Sequence, residues 1–254
     1  MRRRSAQLKR IQERTASWVR SAPGTYTYLF ALAVTSWSLR GVDPHLADAL
    51  IRSQSTNLDN LTDRPLQVLV ASAFWTSGPD IPLRLLVRFT LVMAPVERRL
   101  GTRRTLAVFA AGHVFATLLV AAGLSYGVQH RLISVSVAHA SDVGVSYGFV
   151  AVAGAMTWLL ATRWRLLWVA ALAVSLSVSA SAGVTFTDVG HLVSLVIGLA
   201  TAPLIKRWLA NPPAGAVLGG QQVSLAWLHR LNRRRSGRAA DGTAEPSAAL
   251  ARRH

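Results

Sequence analysis

Long apolar blocks separated by short polar or basic stretches run through most of this chain. A helix that crosses a bilayer needs about 20 mainly apolar residues. Six blocks reach that length alone or with their flanks, so the pattern predicts an all-α membrane protein with six spans. The predicted spans are Thr25–Leu39, Ile81–Val96, Thr105–Leu124, Gly144–Ala161, Leu166–Ala182 and Asp188–Ile205. A further apolar stretch, Pro65–Trp75, is too short to cross and is predicted to be interfacial or re-entrant.

The two ends of the chain are polar and basic. In residues 1–23, apolar positions recur at helical spacing between arginines, which favours an amphipathic helix on the inner membrane surface. A frayed cytosolic tail fits the same residues, whereas a signal peptide fits less well because the apolar run begins too far downstream. Residues 206–254 are predicted to be largely disordered, with an amphipathic piece around Val223–Leu231. The membrane domain is therefore 24–205.

Charge gives the orientation of the predicted spans. The net charge is +17. Most Lys and Arg residues fall in segment 1–23, in a predicted charged turn over 97–104, in a predicted basic turn over 162–165 and in the tail 206–254, all on one side of a six-span topology. The positive-inside rule then places both termini in the cytoplasm, and we expect a bacterial plasma membrane protein. The basic residues do not lie on a soluble fold, so no nucleic-acid partner is expected. The chain has no cysteine, which excludes disulfides and thiolate catalysis.

Two polar residues enter the membrane near the starts of different spans. Ser146 opens the fourth span and His191 opens the sixth, at a similar depth of roughly 5–10 Å below the outer face. A serine that shares its proton with an imidazole is an activated nucleophile. Small residues that allow close helix approach recur on both segments, at Gly144, Gly148, Ala151, Ala155, Gly190, Ser194 and Gly198. Ordinary helix packing explains the same stripes, so spacing alone leaves the catalytic interpretation open.

Over about residues 24–205 the chain resembles the rhomboid family of intramembrane serine proteases. Gly144-Val145-Ser146 matches the first three positions of the G-x-S-G motif that opens the family's fourth helix, and Gly154 matches a later glycine there. Gly190-His191-Leu192-Val193-Ser194 resembles the start of the sixth helix. Val96-Glu97-Arg98-Arg99-Leu100-Gly101 resembles the E-x-x-x-G end of the second helix, and Arg64–Phe74 resembles the interfacial stretch before it. The resemblance implies a six-helix bundle with Ser146 as nucleophile and His191 as base.

The sequence departs from the family where the oxyanion would be held. The H-x-x-x-N donors of the second helix fall at Ile81 and Leu85, which have no donor atoms. Tyr147 replaces the glycine after the serine, and Val150 replaces an aromatic residue. Removing one oxyanion donor typically costs about 10²–10³ in rate. Backbone N–H groups near Ser146, from Gly144 to Tyr147, are candidate replacements.

Two arginines in the second span are further candidates for this role. Residues 81, 84, 85 and 88 share a helical face, so Arg88 is a possible oxyanion donor. For Arg84 we favour a side chain that snorkels outward. For Arg88 the alternative is a structural pair with an acidic or carbonyl group in the bundle, and that is the outcome we predict.

Other polar residues carry weaker signals. We expect His113 to be a packed interhelical donor rather than a ligand. Asp142 and Asp188 are each in position to orient His191, but a helix N-cap is the favoured role. His130 and His139 lack a third ligand, so no metal site is predicted.

Two functions follow from these residues. The first is an intramembrane serine protease that cleaves membrane-spanning protein substrates and needs no metal or cofactor. The second is a non-catalytic rhomboid-like protein that binds transmembrane segments of client proteins, as a chaperone or regulator. In both, the lipid bilayer is a partner. A transporter is disfavoured because no internal repeat or broken helix is evident.

Overall fold

A computed structural model shows a predominantly helical chain and describes residues 2–76, 83–140, 142–213, 217–218 and 221–222. The helices are α1 Arg2–Arg20, α2 Pro23–Ser38, α3 Pro44–Ser53, α4 Leu58–Asp63, α5 Pro65–Ala71, α6 Leu83–Arg88, α7 Ala94–Leu100, α8 Thr102–Gln129, α9 Val145–Met156, α10 Thr162–Ser179, α11 Phe186–Ala200 and α12 Ala202–Ala210. Short 3-10 helices cover Ser72–Phe74, Val135–His139, Thr157–Leu159 and Ala180–Ala182. A two-residue antiparallel pair joins β1 Val217–Leu218 to β2 Gln221–Gln222.

Helix starts and ends follow local chemistry. Prolines begin α2, α3 and α5, where the missing N–H costs nothing. The Asp43 carboxylate accepts hydrogen bonds from the first-turn N–H groups of α3, and Asn57 does the same for α4. The polar stretch 40–64, for which no element was predicted, contains both α3 and α4. Gly101, with φ +85°, ends α7 and lets α8 begin at the next residue.

The second predicted span is one helical segment with an irregular centre. A π-helical turn, Phe89–Met93, joins α6 to α7. The buried residues of this segment include Phe89, Val92, Met93 and Val96, which face the core. The predicted charged turn over 97–104 is wrong, because α7 continues to Leu100 and only Gly101 separates it from α8.

The carboxylate of Glu97 ties the end of α7 to the start of α2. Glu97 is 3% exposed. It accepts hydrogen bonds from Gly24 N and Thr25 N, each at 2.7 Å, and from the hydroxyls of Thr25 and Thr102, each at 2.6 Å. The first N–H groups of α2 have no intrahelical acceptor and carry partial positive charge, so this buried carboxylate caps the helix.

The centre of the bundle is built from α8, α9 and α11, which meet through small residues. A Cβ added at Gly112 of α8 would lie 2.1 Å from the Ala151 Cβ of α9. A Cβ added at Gly198 of α11 would lie 2.1 Å from the Ala151 carbonyl oxygen, and one added at Gly154 of α9 would lie 2.8 Å from the Leu195 carbonyl oxygen of α11. Small residues therefore set the helix separation, as membrane helices require.

Replacing Gly198 by alanine should force α9 and α11 apart, because the atom it meets belongs to the backbone. We expect a loss of about 1–3 kcal/mol of stability, the usual cost of overpacking. Gly123→Ala is the matched control, since nothing lies within 4 Å of a Cβ built there. That change should be neutral or stabilising by up to about 1 kcal/mol. Thermal unfolding in detergent compares the two, and equal melting temperatures would contradict the close contact.

The six predicted spans correspond to α2, α6 to α7, α8, α9, α10 and α11 to α12. Within the described ranges, only α8 is long and apolar enough by itself to cross a membrane, and α11 with α12 qualifies as a bent pair with a 41° angle. The helical class is thus confirmed, but the six-span topology stays a prediction. Many large apolar side chains are exposed around the bundle, including Phe30 at 70%, Phe115 at 58% and Leu166 at 78%. Extensive apolar exposure of this kind is typical of a surface that contacts lipid.

Several predicted boundaries shift. The sixth span is not a single straight helix, because the chain bends at Thr201 and α12 begins at Ala202 with Pro203 in its first turn. Segment 162–165, predicted as a basic turn, forms the first turn of α10. The first five residues of the predicted disordered tail, 206–210, belong to α12. The predicted piece around Val223–Leu231 lies outside the described residues. The N-terminal segment is helical over Arg2–Arg20.

Candidate functional site

Helix α9, which corresponds to the predicted fourth span, begins at a glycine that packs against a histidine ring. Gly144 is the N-cap of α9, and its N–H donates to the Ser72 carbonyl at 3.1 Å. A Cβ at this position would lie 1.7 Å from the ring of His113, so no side chain fits. His113, on α8, is 3% exposed and its Nε2 lies 2.7 Å from the Leu69 carbonyl oxygen. The prediction of an interhelical donor is confirmed, and the contact anchors α5 to the bundle.

The candidate nucleophile lies one residue further into the helix start. Ser146 is the second residue of α9 and is half-buried. Its hydroxyl makes no hydrogen bond to any residue that the structure describes. The backbone N–H groups of Val145, Ser146 and Tyr147 belong to the first turn, where an α-helix offers no acceptors of its own. They are the donors that α9 supplies near this hydroxyl.

The candidate base occupies the second turn of α11. Both ring nitrogens of His191 are buried, and neither has a hydrogen-bond partner among the described residues. No hydrogen bond therefore joins Ser146 to His191 in this structure. The imidazole contacts α9 through Tyr147, the residue after Ser146. The two rings meet edge to face, with 5.5 Å between centroids and 82° between planes.

The side chain of Tyr147 fills the space between α9 and α11. It is fully buried. Its ring packs on the backbone of Gly190, where an added Cβ would lie 2.3 Å from the ring. Its hydroxyl donates to Asp142 Oδ2 at 2.8 Å. The phenol is thus a packing and anchoring group in this structure, and only the backbone N–H of Tyr147 stays available as the predicted oxyanion donor.

The favoured N-cap roles of the two aspartates are wrong. Asp142 accepts the hydrogen bond from Tyr147 instead, and Gly144 caps α9 without a side-chain bond. Asp188 is the third residue of α11, where its carboxylate accepts from the N–H and the hydroxyl of Thr185 at 2.9 and 2.7 Å. Thr185 is the N-cap in a capping box, a pattern that the spacing Thr-x-x-Asp permits and that our sequence analysis missed.

Burial raises the pKa of Asp142 to about 6, although the hydrogen bond from Tyr147 by itself lowers this pKa. Because its folded-state pKa lies above the unfolded value, this carboxyl contributes stability below about pH 4 that is lost as the pH rises through about 6. Asp142→Asn should remove that dependence and gain up to about 3 kcal/mol at neutral pH. Unfolding measured from pH 4 to 7 tests this, and parallel profiles for the two proteins would contradict it.

Arg88 does not take either predicted role. It is exposed, and no described residue forms a hydrogen bond or an ion pair with it. The inward face of α6 and the π-helical turn passes through Leu85 and Phe89, which pack in the core, so the neighbouring position 88 points away. Leu85 brings no donor to the site. Ile81 and the side chain of Arg84 lie outside the described parts of the chain.

The bundle has helices joined by small residues, an apolar exterior of the kind that contacts lipid, Ser146 in the first turn of α9 and His191 in the second turn of α11. This is the architecture of a rhomboid-like helical membrane protein. Comparison with protein-family models agrees. A model described as "Rhomboid-like protein" matches residues 17–210, and the chain belongs to this family. Searches of curated proteins and of solved structures returned no match.

Proposed function

We propose that this protein is an intramembrane serine protease whose dyad is Ser146 and His191. The observation that carries the proposal is the unpaired imidazole of His191. Buried polar atoms in native structures are nearly always hydrogen-bonded, and the exceptions call for an explanation such as catalysis. The turn of α9 that contacts this ring contains Ser146. Catalytic hydrogen bonds are often long without substrate and shorten when it binds.

In the proposed reaction, the Ser146 hydroxyl attacks the scissile carbonyl carbon while His191 accepts its proton. The tetrahedral oxyanion is held by first-turn N–H groups of α9. His191 then gives the proton to the leaving amine, the C–N bond breaks, and an acyl-serine remains. Water attacks this ester with His191 again as base, which releases the carboxylate product and restores the serine. The side-chain donors of the H-x-x-x-N motif are absent, so we expect a slow enzyme.

Access to the site follows from the proposed topology of six spans with both termini cytoplasmic. In this topology the first turns of α9 and α11 lie near the outer face, where water can reach them. Lateral entry of a substrate past α10 is supported by the loose packing of that helix, because none of its described residues is buried. Its Trp168 indole donates to the Ala153 carbonyl of α9 at 2.9 Å.

A non-catalytic binder of transmembrane segments is the second candidate. It is favoured by Tyr147, whose fully buried ring lies against His191 and whose hydroxyl is fixed by Asp142. A side chain held in this way limits how closely the Ser146 hydroxyl and the His191 ring can approach each other. The absent side-chain donors favour the same candidate. In this case the side of the bundle next to α10 would hold a client helix without cleaving it.

Reconstitution with a tagged single-span reporter distinguishes the two candidates. The protease proposal expects a cleavage product from the wild-type protein, and intact reporter bound to Ser146→Ala. If instead wild-type protein and Ser146→Ala retain equal amounts of intact reporter and yield no product, the binder is correct. If no product forms and no reporter is retained, both candidates fail.

A further inference from the structure

The N-terminal helix α1 carries exposed apolar and basic side chains together. Leu8 and Ile11 are 66% and 53% exposed. Arg10 and Arg14 lie close to them in sequence and are also exposed. A helix with this combination is typical of a membrane surface, where apolar residues enter the boundary and cations meet headgroups.

A cavity of about 610 Å³, open to the protein surface, lies between α1 and α7. Its lining residues are Arg10, Glu13, Arg14, Ser17, Trp18 and Arg98. Three guanidinium groups and one carboxylate thus surround it, which leaves an excess of two positive charges. None of these four charged groups forms an ion pair within the residues that the structure describes.

Arg98 is the part of this cavity that belongs to the bundle. Its guanidinium carbon lies 4.0 Å from the centre of the Trp18 ring, a cation–π contact that brings α1 against α7. Its Nε is buried and has no hydrogen-bond partner among the described residues. Guanidinium groups in this situation match the geometry of phosphate oxygens, which they bind through paired N–H donors.

We propose that the cavity between α1 and α7 binds the phosphate of an anionic phospholipid headgroup. Arg98 would donate to the phosphate from the bundle side, and Arg10 and Arg14 from α1. A lipid is favoured over a soluble anion because exposed Leu8 and Ile11 on the same helix provide a surface for the acyl region. Trp18, 36% exposed, is also a residue type enriched at bilayer interfaces. This proposal does not depend on whether the protein is a protease.

Native mass spectrometry of the full-length protein in detergent tests the site, with phosphatidylglycerol, phosphatidylcholine and inorganic phosphate as separate probes. We expect one phosphatidylglycerol to be retained in preference to the other two. The triple variant Arg10→Gln, Arg14→Gln, Arg98→Gln should bind it at least about tenfold more weakly, since each cation contributes to attraction of anionic lipid.

The control variant removes three charges from the same end of the bundle without touching the cavity. Arg103, Lys206 and Arg207 are exposed and suit this purpose; their change to glutamine should leave phosphatidylglycerol binding nearly unchanged. Equal losses in the two triple variants would overturn the proposal in favour of unspecific charge attraction. Equal retention of inorganic phosphate and phosphatidylglycerol, or of the two lipids, would overturn it as well.

Discussion

Ser146→Ala should lower the rate of reporter cleavage by at least about 10³-fold, the largest change in activity that we expect of any substitution. The methyl group cannot form an acyl-enzyme, and only positioning and backbone donors would remain. His191→Ala should cost a similar factor, because without a base the hydroxyl is a weak nucleophile. Groups that act as one unit are not additive, so the double variant should be no slower than either single variant.

Initial cleavage rates in proteoliposomes measure this prediction. Ser38→Ala is the matched control: Ser38 is an exposed serine at the end of α2 whose hydroxyl donates only to the Thr35 carbonyl. Its rate should equal that of the wild-type protein. A Ser146→Ala protein that cleaves at the wild-type rate would remove this residue from the chemistry. If the losses of the two single variants multiply in the double variant, they do not act as a dyad.

Glu97→Ala should produce the largest loss of stability, about 4 kcal/mol. The substitution leaves four donors without an acceptor at the junction of α2, α7 and α8. Hydrogen bonds to a charged group are each worth roughly 1.5–3 kcal/mol, and buried donors left unpaired add a desolvation cost. The sum is not fully additive because the first turn of α2 can relax and admit water.

Glu97→Gln separates the charge from the shape of this cap. The amide keeps one acceptor oxygen, so we expect roughly half of the loss seen with alanine. Glu13→Gln, at an exposed carboxylate of α1, is the control and should change stability by less than about 0.5 kcal/mol. Thermal unfolding in one detergent measures all three. If the Glu97→Ala protein had the same melting temperature as the wild-type protein, the capping network would not be needed for stability.

The positions of the helices and the family were readable from the sequence, because both depend on local or ordered patterns. Apolar blocks located the cores of all the bundle helices, and short motifs around Ser146, His191 and Glu97 indicated the family in advance. Small residues at Ala151 and Gly198 predicted the close helix contact, which the structure confirms. Each of these signals lies within a few neighbouring residues.

Features that depend on distant partners could not be read in this way. The predicted second span corresponds to the segment from α6 to α7, and its packing and π-helical turn determine which side chains face the core. Arg88 therefore faces outward despite its spacing from Leu85. Three of the four donors that Glu97 satisfies lie more than 70 residues away, at the start of α2. Tyr147 was expected to matter through its backbone, yet its side chain reaches Asp142 and α11. Only the three-dimensional fold brings these groups together.

Labelling by a fluorophosphonate probe tests the proposed dyad most directly, because it reports an activated serine without a known substrate. The folded wild-type protein in detergent should be labelled at Ser146, and labelling should disappear in Ser146→Ala and fall strongly in His191→Ala. Absence of label from folded wild-type protein, or label that persists in Ser146→Ala, would contradict the protease proposal.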